Sequence, residues 1–497
     1  MTRALVLGAG IGGLSAAARL AHAGYDVAVH ERLSRPGGRA NLIERDGFRI
    51  DTGPSILLMR DIVEGTFADV GADPADYVSI RRLDPAYRVF FHDGSQLQAR
   101  VDRAELRAEL DAIEPGAGAR FDDFAEIGQK LYRGAREHFV ERNFRSLGEM
   151  FGVTNLPQFV SLRVYERMHT LVGRHFRDPR LRQLFTFNAM YIGMNPFTAP
   201  AIYALLPYND TVEGVHFADG GMYGLVEGLV RLCTDLGVEI VCDHPATAVI
   251  ERDGRAAGLR FADGDVEADL TLVNADWPWA QRRMLGREPR HPLPGRKLRY
   301  GPSAMNFYLG VRGDVGDLAA HNVVFGGDYA GNFEDVFAGR VHERPSYYVH
   351  VPSLVDPTLA PDDHHVVYVL VPHANSDAPI DWEGERERVR EYVLTDLAAK
   401  GVDLRERIVL EEVIDPPRWA DEFSLERGAT FGLSHGVSQV GWLRPHNKDD
   451  HLDDLYYVGS STHPGAGVPM VMLSARLVSE RIVDDRPPAR VGERIGG

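Results

Sequence analysis

A glycine-rich segment near the start of the chain has the spacing of a nucleotide-binding loop. It follows an apolar run and contains Gly8, Gly10 and Gly13, with Gly12 between them. In this pattern the first glycine permits a tight turn, the second leaves room for a pyrophosphate, and the third allows close packing of the following helix. Glu31 stands about 20 residues further on, where a carboxylate can accept hydrogen bonds from ribose hydroxyls. These residues predict a βαβ dinucleotide-binding unit.

A second segment, residues 458–469, could approach the same ligand from the other end of the chain. It combines an apolar strand end, a loop with two glycines, and Pro469 at a position typical of the start of a helix, predicted over 470–482. Such a helix start directs free backbone amides towards an electron-rich group. His463 lies in this loop. Its imidazole could act as a catalytic base, and it could equally shape the backbone before Pro464 or stack on a ring.

The residues after Glu31 indicate which dinucleotide is bound. Arg32 is followed by a second glycine pair ending in Gly38-Arg39, and then by the segment 51–54. A guanidinium in such a loop is suited to phosphate. Nicotinamide enzymes do not usually need this second loop. Proteins that enclose FAD bring in a further strand, loop and helix, and residues 459–469 meet that requirement. FAD is therefore the predicted cofactor.

Two other interpretations of the N-terminal segment remain open. Arg3 followed by an apolar run and an alanine-rich stretch resembles a secretory signal peptide. However, glycines so closely spaced would interrupt an apolar helix, and the role of Glu31 would be unexplained. The other interpretation is a Rossmann-like turn that binds nothing, because glycines can serve packing alone.

Hydrophobic periodicity and turn residues predict the elements that position these segments. Residues 120–190 have apolar residues at helical spacing, and 222–236 is predicted to be a helix. The strands predicted around the cofactor site are 238–241, 248–252, 257–261 and 266–270. A second sheet is predicted from 305–311, 346–351 and 366–371.

Composition excludes several function classes. The chain of 497 residues, 44% of them hydrophobic, can bury a large core. Its net charge of −17 disfavours nucleic acid as a partner. Cys233 and Cys242 form no metal or redox motif and are expected to be reduced thiols in a cytoplasmic protein. His364 and His365 would point to opposite faces of a strand, so no metal site is predicted.

The segment 161–182 departs from the overall acidity. It carries six arginines against two carboxylates, interleaved with Tyr165, Leu171, Val172 and Phe176. This composition is typical of a surface that contacts anionic lipid. A solvated helical face explains it equally well. No apolar run is long enough to span a bilayer, for which about 18 residues are needed, so the chain is expected to be soluble or peripheral.

Motifs along nearly the whole chain carry a family resemblance. Besides the glycine loops, they are YIGMNPF (191–197), APAIY (199–203), DGGMY (219–223), NAD (274–276), VPS (351–353), DP (356–357), Gln439, RP (444–445) and THPGAGVP (462–469). Together they resemble the FAD-dependent carotenoid desaturases, the bacterial-type phytoene desaturases within the amine oxidase-like flavoproteins. One position departs: many flavoproteins of the wider group have an acidic residue after the glycine corresponding to Gly459, whereas this chain has Ser460.

The resemblance implies an α/β (α+β) fold with a Rossmann-like FAD-binding domain of a GR-type flavoprotein and a discontinuous substrate domain of mixed sheet plus helices. The FAD-binding domain is expected at 1–100, 212–290 and 416–497, a helical substrate- or membrane-facing region at 101–211, and the substrate-domain sheet at 291–415. The cofactor-binding residues expected on this basis are Gly8, Gly10, Gly12, Gly13, Glu31, Arg32, Gly38, Arg39, Asp51, Gly53, Val249, Asn274, Gly459, Ser460, Gly467, Val468 and Pro469.

The implied activity is removal of a hydride and a proton from a lipophilic polyene, phytoene or a later carotene, to introduce conjugated double bonds. Residues 191–208 are a candidate tunnel lining, and core packing explains them equally. Quinone or oxygen is the expected electron acceptor, and the expected location is cytoplasmic, peripheral on the membrane face. The alternatives are a carotenoid end-group oxidase or oxygenase, a hydroxycarotenoid 3,4-desaturase, a flavin-dependent cis-trans isomerase, and a non-catalytic FAD-stabilised lipid-binding protein.

Overall fold

A computed structural model describes residues 1–152 and 155–488. The strands, in chain order, are β1 (Arg3–Leu7), β2 (Asp26–His30), β3 (Leu42–Arg45), β4 (Phe48–Asp51), β5 (Ile80–Arg82), β6 (Tyr87–Phe90), β7 (Gln96–Ala99), β8 (His216–Ala218), β9 (Glu239–Val241), β10 (Ala248–Arg252), β11 (Arg255–Phe261), β12 (Gly264–Glu267), β13 (Leu270–Val273), β14 (Ser303–Arg312), β15 (His321–Val324), β16 (Tyr347–His350), β17 (His364–His373), β18 (Ile408–Ile414) and β19 (Leu455–Tyr457).

The α-helices are α1 (Ile11–His22), α2 (Arg60–Ala68), α3 (Arg103–Ile113), α4 (Ala117–Ala135), α5 (Leu147–Met150), α6 (Leu156–Ser161), α7 (Met168–His175), α8 (Pro179–Leu184), α9 (Leu205–Tyr208), α10 (Gly221–Asp235), α11 (Trp277–Met284), α12 (Tyr329–Ala338), α13 (Trp382–Ala399), α14 (Pro416–Phe423) and α15 (Val468–Asp485). Short 3-10 helices at Phe187–Ile192 and Ala201–Ala204, and a π-helical turn at Asn209–Glu213, complete the region between α8 and β8.

A parallel five-stranded sheet has the order β19-β13-β1-β2-β9. Its strands are apolar runs because both faces are covered. Helices α1, α10 and α15 pack on one face, and the three-stranded sheet β10-β11-β12 packs on the other. In such a sheet the carboxyl ends of the strands open on one edge, where ligands bind. The loops after β1, β2, β13 and β19 therefore converge at that edge.

A second, mixed sheet has the order β18-β14-β17-β16-β15-β6-β7. Its pairings are antiparallel except for β15 with β6, which is parallel. Helix α13 buries apolar residues against one face. The other face contributes to the largest apolar core, which also includes α4, α7 and α8. The helical region thus packs on the second sheet.

The structure corrects several details of the sequence predictions. Strands β6 and β7 lie within the predicted segment 1–100 but belong to the second sheet, so that segment extends too far. The predicted strand 266–270 is two strands, because the chain leaves β12 after Glu267 and enters the parallel sheet at Leu270. Helix α15 begins one residue before Pro469. The remaining domain boundaries stay predictions, and the predicted segment 416–497 runs beyond the described residues.

Candidate active site

The first glycine loop is shaped by close approaches of the backbone. Gly8 has a φ of +101°, a conformation that favours glycine, and its N–H donates to His30 O at 2.8 Å. A Cβ added to Gly13 would lie 2.1 Å from Gly8 O. A Cβ added to Gly10 would lie 2.8 Å from Asn274 Oδ1. The loop therefore requires glycine at these positions to bring α1 close to β1 and to the loop after β13.

Glu31 lies at the end of β2 and is buried. Its Oε2 accepts a hydrogen bond from Ala9 N–H at 2.7 Å, and its Oε1 accepts one from Leu33 N–H at 2.9 Å. The carboxylate thus joins the glycine loop to the loop after β2. These hydrogen bonds fix the Glu31 carboxylate beside the glycine loop, where the dinucleotide fingerprint predicts a ribose-binding carboxylate.

A cavity of about 330 Å³ begins at this loop, and we call it the cofactor cavity. Its walls come from the loops that follow the parallel strands and from the edge of the second sheet. The predicted residues that line it are Gly8, Gly10, Gly12, Glu31, Arg32, Gly38, Arg39, Gly53, Asn274, Gly459, Ser460, Gly467 and Val468. The two glycine-rich segments, distant in sequence, therefore lie on one cavity.

Four predicted residues do not line the cofactor cavity. Gly13 packs beneath the loop, and Val249 is buried in the core between β10 and the parallel sheet. Pro469 lines a neighbouring cavity instead. Asp51 accepts hydrogen bonds from the backbone N–H groups of Met222 (2.6 Å) and Tyr223 (2.9 Å). It therefore caps the start of α10, and burial raises the pKa of its carboxyl to about 6.

An apolar cavity of about 400 Å³ adjoins the cofactor cavity. Its walls are mainly aromatic and aliphatic and come from the helical region, the second sheet and the loops 431–441 and 463–470. Within 191–208, the candidate lining, the residues that face it are Tyr191, Ile192, Pro200, Ile202, Tyr203, Leu205 and Leu206. A long apolar molecule could be held here without water, and it would meet the cofactor at one end.

The two cavities share part of their walls, and we call this place the junction. The residues that line both are Gly53, Pro54, Tyr191, Leu370, Phe431, Ala466, Gly467 and Val468. Of these residues, Tyr191 is the one with a polar side chain. The start of α15 also lies here, and the first amides of a helix have no partner inside the helix. The junction therefore offers backbone amides and one hydroxyl to a reaction between the two ligands.

Two arginines, the partly buried Arg39 and the fully buried Arg444, support the junction. Arg39 donates to Thr430 O at 2.8 Å and to Ser460 Oγ, while burial lowers the pKa of Arg39 and nearby Asp276 opposes this effect. Arg444 is fully buried and donates to five backbone carbonyls, those of Leu433, Ser434, Gln439, Ser460 and Thr462. Burial lowers the pKa of Arg444 to about 10. Its contacts fix the loop before α15 in place.

Two histidines line the apolar cavity but not the cofactor cavity. The His463 Nε2–H donates to Arg142 O at 2.9 Å, its Nδ1 has no partner among the described residues, and burial lowers its pKa to about 4. His463 is therefore neutral at pH 7, and its role as a base remains a prediction. The His435 Nδ1–H donates to Ile192 O (3.0 Å), while Nε2 accepts from Ala466 N–H (3.0 Å).

The cofactor cavity fits FAD in its shape and in its unused polar groups. Four polar side-chain atoms of cavity-lining residues are buried without a partner among the described residues: His30 Nε2, Asn306 Oδ1, Trp419 Nε1 and Thr430 Oγ1. Buried polar atoms are normally paired, so these are available to a ligand. The glycine loop leaves space for a pyrophosphate, and the shared wall lies where a flavin would meet the apolar cavity.

Sequence reasoning missed several residues that line the cofactor cavity. Asn306 and Tyr368 come from β14 and β17 of the second sheet, and Asp276 and Thr430 come from loops. Neighbouring positions in those strands are mostly apolar and gave no sign of ligand contact. Asp276 was visible in the NAD motif at 274–276, but its position against Ser461 and the backbone of Glu426 was not.

Comparison with known proteins supports the cofactor and the fold. Residues 11–483 match the family model described as flavin containing amine oxidoreductase. The chain is 41% identical over 484 residues to the zeta-carotene-forming phytoene desaturase of Myxococcus xanthus, covering 97% of this chain and 94% of that protein. It is 35% identical over 494 residues to the 4,4'-diapophytoene desaturase (4,4'-diaponeurosporene-forming) of Staphylococcus aureus strain Newman, covering 97% and 98%.

A solved structure shows the same fold at low sequence identity. The crystal structure of an oxidoreductase from Methanosarcina mazei superposes with a TM-score of 0.63 at 18% identity, covering 96% of this chain and all of that chain. The fold is therefore the mixed α/β fold of flavin-binding oxidoreductases, with a parallel cofactor-binding sheet and a separate mixed sheet.

Proposed function

This chain belongs to the family of flavin-containing amine oxidoreductases, and we propose that it is a carotenoid desaturase that uses FAD to introduce conjugated double bonds into phytoene or a later carotene. FAD is its cofactor, and the chain is an oxidoreductase that acts on CH–CH bonds. The main support for the proposal is the junction, where the mainly apolar cavity and the cofactor cavity share a wall.

The chemistry requires little from polar side chains. Desaturation removes a hydride from one carbon and a proton from its neighbour, and a C–H bond beside an alkene is the favoured target because the allyl system spreads the positive charge. Bound FAD supplies the hydride acceptor. The apolar cavity holds the reacting carbons and excludes water that could trap a cation. The wall of the cavity is aromatic and aliphatic, which suits a hydrocarbon without polar groups.

The start of α15 offers backbone amides that could stabilise a reduced cofactor. Gly467 has a φ of +108° and precedes the helix, so the chain enters α15 in a conformation that other residues rarely adopt. The free amides and the helix dipole at this point favour negative charge on the reduced flavin ring. Replacement of Gly467 by proline is therefore expected to lower flavin affinity or the rate of flavin reduction.

Anaerobic mixing with a carotene tests the function. The purified holoprotein is mixed with liposomes that contain phytoene, and flavin absorbance is followed. A desaturase or an end-group oxidase bleaches the flavin, whereas an isomerase or a lipid-binding protein leaves it oxidised. Pigment chromatography from a carotene-producing host that expresses this chain then identifies the product and the number of steps. A flavin that stays oxidised with every carotene tested would contradict the proposal.

Membrane association at the open end of the apolar cavity is part of the proposal. No helix in the described part of the chain is long and apolar enough to cross a bilayer. Around the cavity, however, large apolar side chains face solvent: the exposed fraction is 46% for Phe151, 62% for Val160, 72% for Tyr165 and 54% for Val437. Val437 also lines the cavity. A surface of this kind could take a carotene from the lipid phase.

The arginine-rich segment contributes less apolar surface than its sequence suggested. Leu171, Val172 and Phe176 are buried in the core, and Tyr165 is the exposed member of that set. Arg163 and Arg174 pair with Glu166, while Arg167 and Arg177 are exposed and form no salt bridge with a described residue. These two cations could contact anionic headgroups.

Liposome co-sedimentation tests the surface. Val160→Asp combined with Tyr165→Asp should weaken binding to anionic liposomes, and Arg167→Gln with Arg177→Gln should weaken it in a salt-sensitive way. Val409→Asp provides a control, because Val409 is an exposed apolar residue of β18 outside both cavities. Unchanged binding in both double variants would contradict the proposal that this surface contacts the membrane.

We also propose that a quinone or oxygen reoxidises the flavin. Adding each acceptor separately to the reduced enzyme, and following the return of flavin absorbance, would show which one reacts.

A further inference from the structure

A buried carboxylate, Asp210, lies directly behind the junction. It belongs to the π-helical turn Asn209–Glu213 and is 1% exposed. Its Oδ2 accepts hydrogen bonds from Tyr191 Oη at 3.0 Å and from Asn188 Nδ2 at 2.6 Å. No described residue donates a hydrogen bond to its Oδ1, and no arginine or lysine of the described chain forms a salt bridge with it. A carboxylate in this setting is costly to keep charged, so burial raises the pKa of Asp210 to about 7.

Tyr191 connects this carboxylate with the place of reaction. It lines the cofactor cavity and the apolar cavity, and it is the one polar side chain among the residues that line both. Its hydroxyl donates to Asp210, which leaves the oxygen lone pairs free. A carbon held at the junction could therefore lose a proton to this oxygen, and bound FAD would supply the hydride acceptor.

The two histidines of the apolar cavity are less well placed than Tyr191. His463 and His435 line the apolar cavity alone. The His435 Nε2 lone pair already accepts the N–H of Ala466. His463 is fixed by Arg142 O through Nε2, so its free Nδ1 would have to serve as the base away from the shared wall. The geometry therefore favours Tyr191 over both histidines for a proton transfer next to the flavin.

We propose, on the basis of the desaturase function proposed above, that Tyr191 accepts the substrate proton and passes its own hydroxyl proton to Asp210 Oδ2. The hydride leaves one carbon with its electron pair and reduces FAD. The proton leaves the neighbouring carbon, and the electron pair of that C–H bond becomes the new double bond. The Tyr191 oxygen gains the substrate proton as its own proton passes along the hydrogen bond to Asp210 Oδ2, in which the two oxygens lie 3.0 Å apart. Tyr191 is a catalytic residue in this scheme, and Asp210 is a positioning residue that acts through it.

The ionisable groups that act on Asp210 are few. They are Tyr191 of the 3-10 helix Phe187–Ile192 and Tyr87 of β6, while Asn188 donates to Asp210 as a neutral amide. Burial raises the pKa of Tyr87 and of Tyr191 well above the usual range, so both hydroxyls stay neutral. Asp210 must be deprotonated to receive a proton. The rate of flavin reduction is therefore expected to rise with pH and to level off above pH 7.

The test measures single-turnover flavin reduction by phytoene in liposomes, without oxygen, between pH 5.5 and 9. Asp210→Asn should slow reduction roughly 10²-fold or more and should abolish its rise with pH. Tyr191→Phe, which keeps the ring, should slow it comparably. Asp454→Asn is the matched control: Asp454 is a buried carboxylate, paired with Arg255 and Arg486, that lines neither cavity. It should keep the wild-type rate and pH profile.

The outcomes separate this inference from the function on which it rests. If wild-type protein reduces its flavin with carotene and Asp210→Asn keeps both rate and pH profile, the proton pathway is wrong and the desaturase function stands. Should Asp210→Asn fail to fold, Tyr191→Phe and the wild-type profile decide: a rate within a factor of about two, or no rise with pH, overturns the pathway. If the wild type reduces no flavin with any carotene, function and pathway fall together.

Discussion

The cofactor cavity and the apolar cavity are built in different ways. The first is made largely of backbone: glycines such as Gly10 line it at the end of a parallel strand, and Gly13 packs beneath them, where a Cβ would clash with Gly8 O. The second is made of side chains from the helical region, the second sheet and two loops. The backbone wall restricts residue type at fixed positions, whereas a side-chain wall depends on total volume, which many combinations satisfy. The first kind of wall is therefore visible in sequence and intolerant of change.

The largest effect is expected from Gly13→Ala, which tests the intolerance of the backbone wall. The new Cβ would lie 2.1 Å from Gly8 O, so α1 must move away from the glycine loop. FAD should be lost on purification, and the free energy of unfolding should fall by roughly 1–3 kcal/mol. Flavin absorbance and denaturant unfolding measure the two effects.

Gly65→Ala is the control for that variant. Gly65 lies within α2, and a Cβ there would meet no atom within 4 Å. Alanine is favoured over glycine inside a helix by roughly 0.5–1 kcal/mol, so this variant should keep FAD and gain slightly in stability. If Gly13→Ala kept its full FAD content, the glycine loop and α1 could shift enough to accommodate the new Cβ beside Gly8 O, and this prediction would be wrong.

A smaller effect is expected at Asp51, which tests whether this residue belongs to the cavity or to its supporting helix. Burial raises its pKa from 3.8 to about 6, so the folded protein binds this proton more tightly than the unfolded chain. The stabilising contribution is present below pH 4 and is lost as the pH rises to about 6. Between pH 4 and pH 6, wild type should lose about 2 kcal/mol relative to Asp51→Asn.

Urea unfolding of wild type and Asp51→Asn across this pH range measures the difference, and flavin absorbance measures FAD content. We expect FAD to be retained, because Asp51 caps α10 and does not line the cofactor cavity. Asp102→Asn is the control: Asp102 caps α3 at the surface, and asparagine caps equally well. Loss of FAD from Asp51→Asn would show that Asp51 is needed for cofactor binding, contrary to this expectation.

The smallest effect is expected in the apolar cavity, where Ile202→Trp adds volume to a side-chain wall. Ile202 lines this cavity and not the cofactor cavity. The variant should retain FAD and unfold like the wild type but desaturate carotene about tenfold more slowly, a change of 1.4 kcal/mol in the barrier. Val409→Trp, at an exposed position on β18, should desaturate normally. An Ile202→Trp enzyme that lost its flavin would show that the two cavities are not independent.

The difference between a cavity wall made of backbone and one made of side chains also explains which features the sequence could predict. The parallel strands β1 and β2, helix α1 and the convergence of both glycine-rich segments were predicted because glycine spacing reports local backbone geometry. Asp51 was misplaced because a carboxylate beside a glycine motif carries no sign of whether it faces a ligand or a helix start 171 positions later. Asp210 gave no signal, because its importance depends on burial and on contact with Tyr191.

Long-range strand pairing was equally hidden. Strands β6 and β7 have the length and alternation of any hairpin, and nothing local indicates that β6 pairs with β15 more than 200 residues later. The apolar wall was predicted in part, from the run 191–208, but its members from β15, α12 and β16 were not. Apolar residues that face a cavity and apolar residues that face a core have the same types and spacing.

The position of β19 at one edge of the parallel sheet has a consequence for biosynthesis. The loop after this strand and the start of α15 supply one wall of the cofactor cavity, while β1 lies in the middle of the same sheet. A nascent chain on the ribosome thus holds β1 and α1 without the partners that enclose the flavin until residues 459–471 have emerged. We expect cofactor loading to follow translation, so flavin supply and chaperones, more than the rate of synthesis, should limit the yield of active enzyme.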